Sequence, residues 1–525
     1  MKKYYKLLWK EILARLFFHI IYMSAIAALP YVIKNMIDCG FSNGIYDVAK
    51  WICIFVFFVI IGMAAQYITQ KSAWKLDRKF YEKIRQDYFC ATIQKLPEEY
   101  NKREIGEYAS VINNDIASCE EYIEYTMEVC ESIIGLTVYA IYIFMLDIRI
   151  AVIIYITAVL ALFLPRITGN RLSQKKQHML GETGRYTNTV LDLLKGFSFI
   201  DRFTVRSVSE MHKKSLLSME KARYEYGKFK TFTNVLNGSV MYIVNTAAFG
   251  IIAFLLSTGS ISAGIAAATI SYIQDFMFPL RTIIDSVSAV KAVEGVKTRV
   301  IKEIAEGREI PSRGIPFMGD IRMNQVSVKR DGFELRDCCL CFQKGRSYAI
   351  VGNSGMGKST LVKLLTQRIR QDEGQVTIDG VPADYDLCNE LMFYSEQNSY
   401  VYTRPYEDNA TVFGSYEYSK IIQKITGERK YESIYEINNC NELSGGEKQI
   451  VLASRAILSG KEILVLDEPF SALSAELEER LTKEILALGK TVIMVTHNRS
   501  EEYLKLFDYI CDGSDGSFTL IACRI

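Results

Sequence analysis

A glycine-rich loop in the C-terminal half has the composition of a phosphate-binding site. The sequence reads Gly-Asn-Ser-Gly-Met-Gly-Lys-Ser-Thr from position 352 to 360, after an apolar run and before a helical one. Its glycines let backbone N–H groups surround phosphate oxygens, while a lysine neutralises phosphate charge and a hydroxyl ligates Mg²⁺. The nucleotide-binding residues predicted from this loop are Gly352, Asn353, Ser354, Gly355, Gly357, Lys358, Ser359 and Thr360.

An acidic pair ends a second apolar run further along the chain. Asp467 suits a contact with Mg²⁺, as in other phosphate-loop enzymes, and Glu468 can polarise an attacking water as general base. The alternative for two carboxylates at the end of a strand is a helix cap. The phosphate-binding loop upstream favours catalysis, so the two motifs together predict nucleotide hydrolysis.

A third motif, Leu-Ser-Gly-Gly-Glu-Lys-Gln at 443–449, opens another helical run. Ser444 and the two glycines place free N–H donors and the positive end of a helix dipole at one point, which is a ready anion site. Taken alone, the motif is only a capped helix start.

Together these residues resemble the ATP-binding cassette (ABC) family. Residues 443–449 are similar to the family's signature motif, and Gln397 and His497 stand where the family has its Q-loop glutamine and switch histidine. The resemblance implies catalytic roles for Glu468, His497, Lys358 and Gln397. It implies that Mg²⁺ is held by Ser359, Gln397 and Asp467.

The family works as a pair of such domains that sandwich two ATP molecules. The resemblance therefore implies that the ATP held by Lys358 of one domain meets the signature motif of the other. The residues predicted for that contact are Ser444, Gly445, Gly446 and Glu447.

Two residues depart from the family's pattern. Ser474 stands where the family usually has aspartate after the acidic pair, and Arg330 aligns with the aromatic residue that stacks on adenine. Because arginine can also lie over an adenine ring, Arg330 is kept as a predicted ATP contact. The two departures motivate a different function class, a regulatory partner subunit with low hydrolysis, and the intact Glu468 and His497 argue against it.

Composition and charge patterning define what must position these motifs. The chain has 525 residues, with 62 Lys and Arg against 60 Asp and Glu, and this balance excludes a basic nucleic-acid-coating protein and an acidic disordered one. Uncharged apolar runs in the first 300 residues have the lengths of membrane spans. Six spans are predicted at about 14–37, 51–70, 129–147, 149–167, 233–257 and 262–284.

The predicted fold is thus an all-α six-helix transmembrane domain followed by an α/β P-loop NTPase domain. The transmembrane domain covers residues 1–306, a linker 307–316, and the nucleotide-binding domain 317–525. Lysine and arginine concentrate before span one and in the long connections after spans two and four, so both termini are expected in the cytoplasm. The alternative of a cleaved signal peptide, suggested by the basic N-terminus, would leave five spans.

The membrane half extends the resemblance to ABC exporter half-transporters. Leu-Pro-Glu-Glu-Tyr at 96–100 is similar to the family's intracellular loop after span two, and Pro279 near the end of span six also fits. Six spans followed by one cassette is the half-transporter layout, which implies ATP and Mg²⁺ as cofactors and a second half-transporter as partner, identical or related. A bacterial cytoplasmic membrane is the expected location, and no nucleic-acid partner is expected.

Acidic residues near the spans suggest a substrate class. Four glutamates lie on one helical face entering span three, and Asp275 lies within span six. We expect Asp275, Glu128 and Glu131 to contribute to a pathway for a cationic small molecule or peptide, exported from the cytoplasm. The alternatives are a solvated stalk face for the glutamates, and, for the whole chain, a siderophore importer or a lipid flippase of the same fold. The glutamates are Glu121, Glu124, Glu128 and Glu131.

Cysteine spacing gives no metal site. The 12 cysteines form no CxxC pair, and the run Cys338-Cys339-x-Cys341 lies in a predicted strand, where alternate residues face opposite sides. Buried small hydrophobic side chains in a reducing compartment are the expected interpretation.

Overall fold

The computed structural model describes all residues except 43–44, 150, 153–164, 311–312, 331–332, 354, 398, 420–431, 515–516 and 523–525. It divides the chain into two compact units. The helical unit contains Met1–Ile93 and Glu104–Gly307, and the α/β unit contains Gln94–Arg103 and Arg308–Ile525.

Long helices make up the helical unit. The short α3 (Pro97–Tyr100) lies in the α/β unit. The elements of the helical unit are α1 (Lys2–Ser42), α2 (Ile45–Ile93), α4 (Ile105–Ser110), a π-helical turn (Val111–Asp115), α5 (Ile116–Leu146), α6 (Pro165–Lys195), a 3₁₀ turn (Phe197–Phe199), α7 (Val205–Ser257) and α8 (Ala263–Ala305). Within the described residues, three helical segments are long and apolar enough to cross a membrane: Lys2–Cys39, Tyr46–Ile93 and Ile105–Leu146.

These three segments contain the first three predicted spans. The fifth and sixth predicted spans fall within α7 and α8. The fourth, at 149–167, lies largely outside the described residues. The number of six spans therefore stays a prediction.

Small residues let α1, α5 and α8 approach closely. A Cβ atom on Gly135 of α5 would lie 2.9 Å from the terminal carbon of Met23 and 3.3 Å from the ring of Pro279. A Cβ atom on Gly264, at the start of α8, would lie 2.5 Å from both a carboxylate oxygen of Asp38 and the carbonyl oxygen of Lys34. Small residues at such close approaches between helices are typical of helix packing in membranes.

The α/β unit is built on two sheets. Its strands are β1 (Asp320–Arg330), β2 (Phe333–Gln343), β3 (Ser347–Val351), β4 (Glu373–Ile378), β5 (Val381–Pro382), β6 (Met392–Ser395), β7 (Ile463–Asp467), β8 (Thr491–Val495), β9 (Tyr509–Ser514) and β10 (Ser517–Ala522). Its other helices are α9 (Lys358–Leu365), α10 (Tyr385–Leu391), α11 (Tyr406–Ala410), α12 (Glu432–Tyr435), a 3₁₀ turn (Cys440–Glu442), α13 (Gly445–Leu458), α14 (Ala475–Leu486) and α15 (Glu501–Leu504).

Sheet topology gathers the chemical motifs at one edge. The larger sheet has the order β10-β9-β3-β8-β7-β6, in which all neighbours are parallel except the β10–β9 pair. Strands β3, β7 and β8 are buried along their whole length, as expected of a parallel sheet covered on both faces. The phosphate-binding loop, Gln397, the acidic pair and His497 all follow the carboxyl ends of strands in this sheet, where ligands bind in such folds.

The segment Gln94–Arg103 packs as part of the α/β unit. The guanidinium of Arg308 donates to the carbonyl oxygen of Gln94 at 2.8 Å and makes a two-pronged contact with Asp386 at 2.9 and 2.7 Å. A carboxylate oxygen of Glu98 accepts from the backbone N–H of Arg370 at 2.8 Å. The sequence-based boundaries assign this segment to the membrane domain, whereas the structure groups it with the second unit.

An all-helical region followed by an α/β region is thus observed, and the predicted fold class is confirmed.

Candidate active site

The loop between β3 and α9 has the geometry of a phosphate cradle. Gly352 and Gly357 have φ values of 155° and 93°, which side chains other than glycine rarely adopt. A Cβ atom on Gly352 would also lie 2.7 Å from the sulfur of Met356. Lys358 is 5% exposed, and its Nζ donates to the carbonyl oxygens of Gly352 and Asn353, both at 3.1 Å. The loop therefore holds the lysine amine against its own carbonyl oxygens.

Asp467 ends β7 with a buried carboxylate. It is 2% exposed, and its Oδ1 has no hydrogen-bond partner among the described residues. Burial raises the pKa of Asp467, and a hydrogen bond from the Ser359 hydroxyl lowers it in part. A buried carboxylate oxygen without a donor, beside a serine hydroxyl, is the arrangement that a bound divalent cation would complete.

The side chain of Glu468 is held by two residues that follow other strands of the sheet. Its backbone has a φ of 49°, and its N–H donates to the carbonyl oxygen of Val495 at 3.1 Å. Gln397 Nε2 donates to Glu468 Oε2 at 2.6 Å, and His497 Nε2 lies 2.5 Å from Glu468 Oε1. With 8% exposure, this carboxylate is fixed in position as a general base must be.

A cavity of about 280 Å³ opens beside this carboxylate. Its lining includes Glu468 and His497 together with Ser471, Leu473 and Asn498. This cavity therefore borders the two predicted catalytic side chains, Glu468 and His497, and the residues that follow each of them in the chain.

The signature motif starts α13 as predicted from its serine. Ser444 is the N-cap residue, and it forms a reciprocal capping box with Glu447, whose carboxylate accepts from the Ser444 backbone N–H at 2.9 Å and from its hydroxyl at 2.6 Å. Gln449 of the same helix donates to the Ser471 hydroxyl at 3.1 Å and accepts from the Ala472 N–H at 2.9 Å. The start of α13 is therefore joined to the loop after Glu468.

The two departures from the family pattern have defined positions. Arg330 donates to Asp372 at 3.1 Å and to the carbonyl oxygen of Arg370 at 3.0 Å, and its side chain is 46% exposed. Ser474 is the N-cap residue of α14 without a side-chain capping bond. The predicted contact of Arg330 with adenine stays a prediction.

The structure brings Lys358, Ser359, Gln397, Asp467, Glu468 and His497 into one connected set. Of the remaining loop residues, Gly355 has a φ of 82° and Thr360 lies in the first turn of α9. Ser354 falls outside the described residues.

The acidic face near span three is occupied by partners. Arg15 of α1, with a side chain 4% exposed, contacts Glu124 at 2.6 and 2.7 Å and Glu131 at 2.5 and 3.3 Å. Glu128 accepts from the hydroxyl of Ser286 in α8 at 2.5 Å. In the sequence, Arg15 is only one of the basic residues near the start of span one from which a cytoplasmic N-terminus is predicted. The sequence signal for this contact is a lone arginine at the start of one apolar run and acidic residues at the start of another.

His19 and the cysteine run of β2 also have defined surroundings. The nitrogen Nε2 of His19 lies 3.1 Å from the Glu131 carbonyl oxygen, beside a cavity of about 90 Å³ lined also by Arg15 and Tyr22. Cys338 is buried and Cys339 is exposed, and the described residues contain no group of three His, Cys, Asp or Glu that could hold a metal ion.

This geometry defines a P-loop nucleotide hydrolase that follows a helical membrane region. The model of the ABC transporter transmembrane region matches residues 12–280, just over half of the chain, and the ABC transporter model matches residues 335–471. The chain belongs to the ABC transporter family.

Curated relatives and a solved structure are similar to this chain over different lengths. The ATP-dependent lipid A-core flippase of Haemophilus ducreyi is 23% identical over 90% of this chain and 86% of its own length. The lactococcin transport/processing ATP-binding protein LcnC-like of Lactococcus lactis is 32% identical over 34% of this chain and 28% of its own length. The structure of a bacterial Atm1-family ABC exporter with ATP bound superposes with a TM-score of 0.83 at 16% identity, covering 98% of this chain and 95% of that one, which shows the fold.

The resemblance to ABC exporter half-transporters is thereby confirmed. The α/β unit is the ATP-binding ATPase domain of an exporter-type translocase in the membrane, and the half-transporter fold implies a dimer.

Proposed function

We propose that this chain hydrolyses ATP with Mg²⁺ to export a cationic small molecule or peptide from the cytoplasm of a bacterium, as one half of a dimer. The observation that carries the hydrolytic part is the position of Glu468. Its two carboxylate oxygens contact Gln397 and His497, in the same connected set as Lys358 and Asp467.

Each residue has a distinct task in this proposal. Lys358, which now binds two loop carbonyls, would bind β- and γ-phosphate oxygens instead. Glu468 would accept a proton from the attacking water, and His497 would keep that carboxylate oriented. Ser359, Asp467 and Gln397 would hold Mg²⁺, which neutralises charge on the phosphates when bound. The buried, unpartnered Asp467 Oδ1 supports that assignment.

A second chain would complete each ATP site. Ser444 presents the N-terminus of a 14-residue helix with its dipole, which favours a phosphate anion. In the proposed dimer, each ATP lies between Lys358 of one chain and Ser444 of the other. ATP binding then shifts the population toward the closed pair, and hydrolysis resets it. Both termini lie in the cytoplasm, and the second chain is another copy or a related half-transporter.

Lipid flipping is the second candidate function. It is favoured by the similarity to the Haemophilus ducreyi flippase, which extends over 90% of this chain. Siderophore import by the same fold is a weaker alternative, and a regulatory partner subunit is motivated by Ser474 and Arg330. Transport in oriented vesicles separates these, because a flippase moves labelled lipid between leaflets and an exporter moves solute between compartments.

The first test is ATP hydrolysis by the full chain in lipid nanodiscs. We expect Glu468→Gln to lower turnover by about 10²–10⁴-fold, the range for loss of a general base, while ATP binding is retained. Glu462→Gln is the matched control, because Glu462 precedes the other end of β7, where its half-exposed carboxylate lies 3.6 Å from the Lys344 amine.

Two results would count against the proposal. Turnover of Glu468→Gln equal to wild type would assign the base elsewhere. A wild-type chain that binds ATP but does not hydrolyse it alone would favour the regulatory partner subunit.

A further inference from the structure

Helix α8 carries a carboxylate deep inside its predicted span. Asp275 lies about 20 Å along the helix from the N-cap Ser262, at ~1.5 Å per residue, within a hydrocarbon core of ~30 Å. Among the residues that the structure describes, it makes no hydrogen bond or ion pair. A carboxylate at this depth is costly unless it faces a polar cavity or binds a cation.

The other two acidic residues predicted for the pathway, and a further one on α8, have partners. Arg15 neutralises Glu124 and Glu131, and Glu128 accepts from Ser286. Asp285, ten positions further along α8, pairs with Arg281 at 3.6 Å. Asp275 therefore differs from these carboxylates in having no cationic or hydrogen-bonding side chain beside it among the described residues.

Pro279 adds a second acceptor at the same place. Proline has no backbone N–H, so Pro279 cannot donate to the carbonyl oxygen four residues earlier, which belongs to Asp275. Residue 275 thus presents both a carboxylate without a cationic partner and a carbonyl oxygen without its helical donor.

Tyrosines from three helices surround this position. Tyr272 lies one turn before Asp275, and its hydroxyl donates to the carbonyl oxygen of Ala27 in α1 at 2.6 Å, so this face of α8 is directed toward α1. The ring of Tyr139 in α5 packs edge-on against Tyr272 at 6.3 Å. Tyr22 of α1, Tyr139 and Tyr272 all interact electrostatically with Asp275. Aromatic faces beside a carboxylate attract cations, most strongly where water is excluded.

We propose that Asp275, with Tyr22, Tyr139 and the carbonyl oxygen of residue 275 that lacks the N–H donor of position 279, forms the binding site for an organic monocation such as an amphipathic amine or phosphonium. A divalent metal ion would need six or more oxygen ligands, or a cluster that the described residues do not provide. This site rests on the proposed export of cationic substrates and deepens it, since it narrows substrate recognition from the predicted set of Asp275, Glu128 and Glu131 to Asp275.

The test is binding of radiolabelled tetraphenylphosphonium to the full chain in phosphatidylcholine nanodiscs, with empty nanodiscs as background. We expect Asp275→Asn to weaken affinity at least ~10-fold, because the probe loses a charge partner in a poorly solvated site. Asp275→Glu should keep most of the affinity. Asp285→Asn, on the same helix but already paired with Arg281, should bind as wild type does. Basal ATP hydrolysis of each variant reports that the chain is folded.

The outcomes separate the site from the transport proposal. Equal binding by wild type and Asp275→Asn, or equal competition by the neutral triphenylphosphine oxide, would overturn the site. So would a wild-type chain that hydrolyses ATP yet binds the probe no better than empty nanodiscs, which leaves ATP-driven activity standing. Binding that depends on Asp275 in a chain without ATP hydrolysis would uphold the site and count against the proposed function.

Discussion

The two units use polar residues in opposite ways. In the α/β unit, the polar groups proposed to act on ATP lie at or just after the carboxyl ends of neighbouring strands, and short sequence motifs contain most of them. In the helical unit, polar groups lie far apart in the sequence and meet only through packing, as Arg15 meets Glu131. Function in the first unit is therefore local in sequence, whereas in the second it depends on how the helices are arranged.

The largest change in stability is expected from removing Arg15, which the helical unit places by packing alone. Arg15→Met removes the buried guanidinium that neutralises Glu124 and Glu131, whose side chains are 34% and 15% exposed. We expect a loss of ~3 kcal/mol in unfolding free energy, the low end of the range for breaking a buried ion pair. Thermal unfolding in nanodiscs measures this loss. Lys3→Met is the control, because its pair with Asp87 has a lysine side chain 67% exposed and such pairs contribute ~1 kcal/mol or less.

Removing the two acidic partners as well tests whether the lost stability comes from uncompensated charge or from changed packing. The triple variant Arg15→Met, Glu124→Gln, Glu131→Gln should recover much of the lost stability, since no uncompensated charge remains buried. If Arg15→Met alone unfolds at the wild-type temperature, the ion-pair cluster is not a determinant of the helical unit's stability.

A smaller effect is expected where α1 and α8 meet. Gly264→Ala would place its Cβ atom against both Asp38 and the Lys34 carbonyl, and overpacking of this kind costs ~1–3 kcal/mol. Gly250→Ala is the control, because no atom lies within 4 Å of its added Cβ atom. The two transition temperatures, measured side by side, should separate clearly. Equal temperatures would mean that the helix ends adjust at no cost.

The smallest effect concerns the caps of the α/β unit. Ser444→Ala removes the capping box of α13 and should cost about 1 kcal/mol, whereas Ser474→Ala removes no side-chain capping bond from α14 and should cost less. Chemical denaturation followed by fluorescence compares them. A larger loss for Ser474→Ala would contradict the assignment of the two caps.

The residues proposed for catalysis could be predicted from the sequence because the spacing that relates them is local. The phosphate-binding loop fixes Lys358 relative to its glycines, and a buried strand fixes Asp467 and Glu468 at one edge. Gln397 and His497 were placed through the family resemblance, and the structure puts both on the carboxylate of Glu468.

The polar contacts of the helical unit could not be derived in the same way. Helical periodicity predicted that four glutamates share a face, but the partner of two of them lies on another helix more than 100 residues away. No local rule gives the rotation of α1 that places Arg15 there. The association of Gln94–Arg103 with the α/β unit likewise depends on contacts to Arg308 and Arg370 that periodicity does not encode.

That association makes the boundary between the units discontinuous in the chain. The polypeptide passes from one unit to the other at 93–94, at 103–104 and again at 307–308. A fragment that starts at Arg308 would lack Gln94 and Glu98, so its Arg308 and the Arg370 N–H would lose partners that they have in the full chain. Fragments 1–307 and 308–525 should instead behave as complementing pieces, because the first carries a part of the second's folded unit.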